Sequence, residues 1–599
     1  MSYVPIQIPP GVTSEKPSLT SEPSWRSCDK VRFENGQPEK IGGWQKDRSG
    51  EAALTGVARS IHTWRLNNGI ILTAIGTHEK LHLLYDGAVT DITPLRTEDV
   101  AMPITDAFNA QSGSTTVTVT HAAHSAANGD YVTFSGFVSS GVLVNAEVNA
   151  NHQITYLDAN TYTIEVTTAA TGTDTADGGA SVLSSFEISI GVINNSTAYG
   201  WGAGQWGVEN WGDSRTIGGI DIDLRYWSLD NFGQNLIACH EEGRIYQWVY
   251  AGDYTDRATL LTNSPAYSNF ILVTSPDRHL VAFASETTGL QDKMLVVWSD
   301  RETINEWTPT AENTAGDYPL SGGSKLVTAR RTQNSTLIWT DSSMLSMQFI
   351  GAPFTFSFTE IGNNCGAISP ACVISKDTTI FWMGKRNFFI YDGVVKILPC
   401  TLHREVFQGI RQNQVSKVIG GLIQEFNEII WLYPSSDVLE NDRYIIFNYV
   451  ENIWYNGTIE RTAWDDSELK NYPIGIDSSG TVYEHEVRDV YNADGSAMES
   501  YIESSNFDVE EGDKAYLIKE LIPDMTITTG SVDYILKTRR YPQSTQVTDT
   551  TKTVSANTNS IDVRVRTKVL AIRVESDALN DEWRMGQARI NIRPDGGRA

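Results

Sequence analysis

Short runs of β-branched and aromatic residues, each bounded by Gly, Asn or Asp, recur along most of this chain, while helical periodicity is scarce. Gly69-Ile70-Ile71-Leu72-Thr73-Ala74-Ile75-Gly76 and Met294-Leu295-Val296-Val297-Trp298 are examples. Runs this short suit strands, so the chain reads as almost entirely β. The runs also repeat. Leu83-Leu84-Tyr85-Asp86-Gly87, followed by Val89, Ile92 and Pro94, is echoed by Phe389-Ile390-Tyr391-Asp392-Gly393, followed by Val395, Ile397 and Pro399. Each reads as strand, Asp-Gly turn, strand, because that dipeptide supplies the positive φ of a tight hairpin. Looser echoes are Gly243-Arg244-Ile245-Tyr246-Gln247-Trp248, Gly480-Thr481-Val482-Tyr483-Glu484 and Tyr444-Ile445-Ile446-Phe447-Asn448-Tyr449. Hairpins at irregular intervals suggest β-propeller blades, whose radial closure hides their sheet edges.

One segment breaks the pattern. Residues 105–185 contain no Lys, Arg or Trp and many Thr and Ala, although Trp64 and Trp201 flank them. Thr115–Thr120, Asp130–Phe134 and Thr161–Val166 alternate with period two, which predicts an inserted small β-barrel or sandwich with its ends close together. The composition shifts again near the end, where residues from Lys537 onward hold 12 Lys and Arg against 7 Asp and Glu. Strands such as Ile561-Asp562-Val563-Arg564-Val565-Arg566 would set one face on a core and line the other with cations. The expected fold is therefore all-β, in four parts. Residues 1–50 form an N-terminal arm and docking segment, 51–104 and 186–500 a β-propeller-like body, 105–185 the inserted domain, and 501–599 a C-terminal β-sandwich with basic strands.

Charge narrows the function. With 46 Lys and Arg against 73 Asp and Glu, the net charge is −27, which disfavours a surface that grips nucleic acid and disfavours acidic substrates. No window of 18 apolar residues occurs, and the start MSYVPIQIPPGVT lacks a basic region followed by an apolar one, so synthesis and folding in a cytoplasm are expected. Five cysteines without CxxC spacing predict buried thiols and neither a disulfide framework nor a zinc cluster.

The residues that could carry chemistry are sparse. No histidine pair has HExxH spacing, and no GxSxG elbow, GxxxxGK[ST] loop or GxGxxG in a βαβ context occurs, so no metal and no cofactor is expected. Asp221 with Asp223, or Asp465 with Asp466, could supply the two carboxylates of glycoside hydrolysis, yet such pairs arise by chance among 73 carboxylates. The sharpest oddity is the loop from Tyr199 to Gly212, in which Trp-Gly recurs at Trp201, Trp206 and Trp211. Three indoles on a glycine-rich loop would make either a contact loop, for sugar or for another subunit, or a self-packed wedge.

The two ends add a resemblance. The segment Trp25-Arg26-Ser27-Cys28-Asp29-Lys30-Val31-Arg32-Phe33-Glu34-Asn35-Gly36-Gln37-Pro38-Glu39-Lys40-Ile41-Gly42-Gly43-Trp44 resembles the opening of the tail nozzle, or packaged-DNA stabilisation, proteins of short-tailed bacteriophages (podoviruses). Glu582-Trp583-Arg584-Met585-Gly586, with Arg589-Ile590 and Pro594-Asp595-Gly596-Gly597-Arg598, is similar to the closing strand of the same family, Met585 and Gly597 being departures. The resemblance spans most of the chain apart from 105–185, which resembles a small β module of various phage structural proteins.

The resemblance implies a β-propeller-based, non-enzymatic virion subunit. It would form a homo-hexameric ring below the portal and the adaptor ring, retain packaged double-stranded DNA and pass it during ejection without sequence-specific binding. The virion tail is the implied location, with tail fibres or a tail needle and the host cell envelope as further partners. An acidic channel wall would repel phosphate and let DNA slide. Trp and Arg are enriched at the energetic centres of interfaces. Trp25, Arg26, Arg32, Phe33, Trp44, Arg564, Arg566, Arg573, Trp583 and Arg584 are therefore the expected assembly interface. The alternative class is a β-propeller that binds or degrades surface glycans.

Overall fold

In a computed structural model of the chain, the structure describes residues 2–15, 23–47, 54–197, 221–333, 335–351, 353–508, 515–541, 544 and 547–595. The fold is all-β. Among the described residues, seven four-stranded antiparallel sheets form the blades of a propeller body. Their first strands are Ala58–Arg65, Trp227–Phe232, Phe270–Val273, Leu326–Arg331, Val373–Lys376, Ile419–Ile423 and Ala463–Asp465, numbered here as blades 1 to 7. Each first strand touches that of the next blade, and that of blade 7 touches that of blade 1, so the ring is closed. The fourth strand of blade 7 is Gly43–Lys46, paired antiparallel with Val482–Val487. One strand from the start of the chain thus completes the last blade and covers the edge that Val482–Val487 would otherwise expose.

The sequence echoes fall on equivalent places. Leu81–Tyr85, Ile245–Trp248, Phe388–Tyr391, Arg443–Asn448 and Val482–Val487 are each the third strand of a blade. At the first hairpin Tyr85 pairs with Ala88 across Asp86 and Gly87, both with positive φ (46° and 80°). At the second, Tyr391 pairs with Val395, so the loop holds one residue more, with Gly393 at φ 106°.

Tryptophans fasten the blades. Trp227 of blade 2 packs over Gly76 of blade 1 and its indole donates to the Thr77 carbonyl at 3.0 Å. Trp464 of blade 7 packs over Gly421 of blade 6 and donates to the Leu422 carbonyl at 3.0 Å. A Cβ at Gly421 would lie 2.1 Å from Trp464 Cδ1, so glycine is required there for packing. The buried indole is satisfied by a backbone acceptor in the neighbouring blade, which makes the contact specific as well as apolar.

The inserted domain is larger than the sequence reading drew it. It begins at Leu95, not 105, because Leu95–Ala101 pairs with Leu183–Glu187 and closes the first of two packed sheets. The second sheet runs Thr155–Asp158, Thr161–Glu165, Thr116–Thr120, Phe108–Ala110, Asp174–Asp177. A separate core holds Phe108, Val117, Val119, Val132, Phe134, Tyr162, Ile164 and Phe186. Composition missed the first strand because Leu95-Arg96-Thr97-Glu98-Asp99-Val100-Ala101 is charged and mostly exposed.

The described part of residues 1–50 docks within the chain itself, as strands of its sheets. Ser2–Pro5 pairs with Arg589–Pro594, and Trp25–Asp29 with Ser500–Ser504. The hairpin Val31–Glu34/Gln37–Lys40 continues through Glu582–Met585 to Met525–Thr529. The C-terminal β-sandwich is thus built from both ends of the chain, since its strands from the C-terminal part alone leave edges that the N-terminal strands cover.

Candidate functional site

Among the described residues, polar side chains gather at the junction between the two ends and the last blades, and along the axis of the propeller. At the junction Arg32 is 1% exposed. Its Nε and Nη2 meet Glu428 at 3.0 and 3.1 Å, and its Nη1 and Nη2 meet Glu486 at 2.8 Å each. Its guanidinium lies 3.5 Å over the Phe426 ring. Burial alone would lower its pKa, but the two carboxylates hold it well above the usual value, so the group is a fixed cation. Glu428 belongs to blade 6 and Glu486 to blade 7, so one arginine ties the hairpin to both. Beside it, Arg461 lies 5.3 Å over the Trp44 ring and 4.4 Å over Tyr483, and donates to His485. Burial, with the Arg461 charge, pushes His485 well below its usual pKa, so it accepts as a neutral ring.

The expected interface residues divide. Trp25, Phe33 and Trp583 are 1–2% exposed and, with Arg32, belong to the chain's own interior. Those four do not reach a partner's surface, which corrects the expectation: the arm uses its Trp and Arg residues to complete a sheet within the chain. Arg26 donates to the Ser14 carbonyl at 3.0 Å. Arg573 lies 3.7 Å over Tyr501 and pairs with Glu503 and Glu575. Arg584 donates to the Glu34 carbonyl at 3.0 Å and stands between the Glu34 and Glu39 carboxylates, at 3.6 and 3.7 Å. Arg564 and Arg566 are exposed, with Arg566 paired to Asp595 at 2.8 Å, while Val563 and Val565, which alternate with them, are buried. Trp201, Trp206 and Trp211 lie outside the described residues.

The axis holds a cavity in two lobes, of about 230 and 280 Å³, lined by the first strands of the blades. Ser60, Ile61, Tyr226 and Arg330 line both lobes. In the first lobe Asp230 is paired with Arg331 at 2.9 Å, and His62 is bonded to Asn231. The second lobe holds Arg59, paired with Glu440 at 2.6 Å, together with Asp465 and Asp466. Thr63 donates to Asp465 at 2.7 Å and the Gln424 amide to Asp466 at 2.8 Å. Burial pushes both carboxyls up from their usual pKa. Of the carboxylate pairs picked out in the sequence, this one is placed at a cavity; Asp223 is instead paired with Lys325 at 3.3 Å. Arg330 and Tyr226 went unnoticed in the sequence, where nothing distinguishes them until seven strands converge. Among the described residues, no group of three His, Cys, Asp or Glu is placed to hold a metal.

No protein-family model and no curated protein matches the chain. Solved structures similar to it include the CNH domain of AfRom2, at 10% identity over 58% of this chain and 93% of that one, with a TM-score of 0.28. BamB from Moraxella catarrhalis is similar at 10% identity over 44% and 84%, with a TM-score of 0.26. The phage phi92 endosialidase is similar at 10% identity over 76% and 61%, with a TM-score of 0.17. Likeness at these scores carries no functional argument, and the propeller rests on its strand topology.

Proposed function

We propose that the chain is a structural, non-enzymatic subunit of the tail nozzle of a short-tailed bacteriophage, assembled as a homo-hexameric ring around the DNA channel below an adaptor. The observation that carries this reading is the meeting of the two segments on which the resemblance rests. Residues 25–44 and 582–594 stand at opposite ends of the sequence, yet Glu39 pairs with Arg584 in one sheet, and Arg32 anchors that sheet to blades 6 and 7. Residues fixed by such a junction have a structural reason to be kept together that owes nothing to catalysis. The outward Arg564 and Arg566 stand where neighbouring subunits or an adaptor could supply carboxylates.

Native mass spectrometry and negative-stain imaging of the purified chain test the reading: rings of six are expected, and a monomer with glycosidase activity overturns it. Charge reversal at Arg564 and Arg566 should then abolish assembly on adaptor-capped heads. Normal assembly with premature DNA loss would instead place these arginines at the lumen.

A second reading, a propeller that binds or degrades glycans, is favoured by Asp465 and Asp466 at the axial cavity. Glycoside hydrolysis needs two carboxyl groups across a cleft. Release of reducing sugar from a surface polysaccharide, lost in Asp465→Asn, would support it.

A further inference from the structure

Among the described residues, the axial cavity carries a cation that no carboxylate compensates. Three arginines line it, and two are paired, Arg59 with Glu440 and Arg331 with Asp230. Arg330 is held by neutral groups: Nε donates to the Val373 carbonyl at 3.1 Å, and Nη1 to the Ala329 carbonyl at 3.0 Å and Thr328 at 3.3 Å. Among the described residues no carboxylate lies within 4 Å of it, and its Nη2 has no hydrogen bond. Tyr226 stands close enough to feel the Arg330 charge, and its hydroxyl likewise has no partner among the described residues. Across the same lobe, Asp465 and Asp466 each spend one oxygen on Thr63 and Gln424 and leave Oδ1 unengaged.

We propose that this lobe binds a small hydroxylated carboxylate of the sugar-acid class, its carboxylate on Arg330 and Tyr226 and its hydroxyl groups on Asp465 and Asp466. The guanidinium fork matches a carboxylate, and enclosure in a cavity strengthens that pairing. Carboxyl groups hydrogen-bond sugar hydroxyls as acceptors when ionised and as donors when protonated, so their raised pKa does not prevent the contact. A neutral sugar would leave Arg330 unpaired, and a bare multivalent anion would face two carboxyl groups. The lobe, about 280 Å³, is of a size for one sugar ring rather than a chain. The overall charge of −27 does not exclude such a ligand, because salt screens distant charges beyond about 8 Å and Arg330 acts at contact. The site stands apart from the nozzle reading, since it needs no ring and no partner.

Calorimetric titration of the full chain with glucuronate, glucose and sulfate tests this. Saturable binding of glucuronate at roughly millimolar or lower concentration is expected, with glucose and sulfate at least tenfold weaker. Arg330→Gln should weaken glucuronate at least tenfold, and Tyr226→Phe severalfold. Because Tyr226 hydroxyl bonds nothing in the described structure, Tyr226→Phe decides the matter should Arg330→Gln fail to fold. No glucuronate binding, equal binding by Tyr226→Phe, or sulfate matching glucuronate each overturns the proposal.

Discussion

The guanidinium of Arg32 meets the Glu486 carboxylate through two hydrogen bonds of 2.8 Å, and through this pair the start of the chain is bolted to the last blade. Glu428 holds the same guanidinium from blade 6 and also accepts from Tyr455. All three charged groups are buried, so their worth depends on every member being present.

Arg32→Met leaves Glu428 and Glu486 buried without their cation and should cost about 3–5 kcal/mol of unfolding free energy. Lys should not rescue it, because one ammonium cannot serve two carboxylates with a planar fork. Urea unfolding measures both. Restoration of most of the loss in the triple variant Arg32→Met, Glu428→Gln, Glu486→Gln is expected, and a loss below about 1 kcal/mol in Arg32→Met would sink the account.

Interblade packing yields a second expectation. Gly421→Ala places a methyl against Trp464, whose indole is already fixed by the Leu422 carbonyl, so the two cannot both stay. Overpacking of this kind costs about 1–3 kcal/mol. Thermal unfolding followed by tryptophan fluorescence should show a lowered midpoint, with partial recovery in Gly421→Ala, Trp464→Phe; an unchanged midpoint would mean that Trp464 yields to the methyl without cost and is not fixed by its neighbours.

Most of the fold could be read from the sequence because blades are built of local hairpins: Tyr85-Asp86-Gly87 and Tyr391-Asp392-Gly393 lie within single sheets and carry their own turn chemistry. What the sequence withheld is long-range. Nothing in Gly43-Trp44-Gln45-Lys46 announces a partner at Val482–Val487, and nothing in Arg32 announces Glu428 and Glu486, so an interior cation resembled an interface one. The convergence of Arg330 and Tyr226 on the axial cavity was hidden for the same reason.

The inserted domain should be dispensable for folding. It has its own core, and its ends meet where Leu95 pairs with Glu187. Glu187 must stay, because with Asp91 it compensates Lys80 and Arg257. Replacing residues 97–185 with a short Gly-Ser linker should leave the propeller soluble with its melting midpoint within a few degrees of the parent. Also removing Glu187 should lower the midpoint further. Insolubility of the first variant would show that the contacts the insertion makes with blade 1, Tyr131 to Glu79 and Asn151 to Lys80 and Glu187, are needed to hold that blade.

The sheet that joins the two ends should respond to pH through Glu39. Burial, reinforced by the charge of Glu34, raises its carboxyl from 4.5 to about 7, against the opposing pull of Arg32 and Arg584. A folded-state pKa above the unfolded value means that the folded chain binds the proton more tightly. Stability from this group is therefore fully present below about 4.5 and is lost as pH rises through about 7. Glu39→Gln imitates the protonated carboxyl, so the variant should be more stable than the parent at pH 8, with the gap closing by pH 5. Comparing variant with parent at each pH cancels the other titrating groups, and urea midpoints at the two values suffice. If Glu39→Gln proved less stable than the parent at pH 8, the contact with Arg584 at 3.7 Å would outweigh the cost of burying the charge, and the junction would tighten rather than loosen as pH rises.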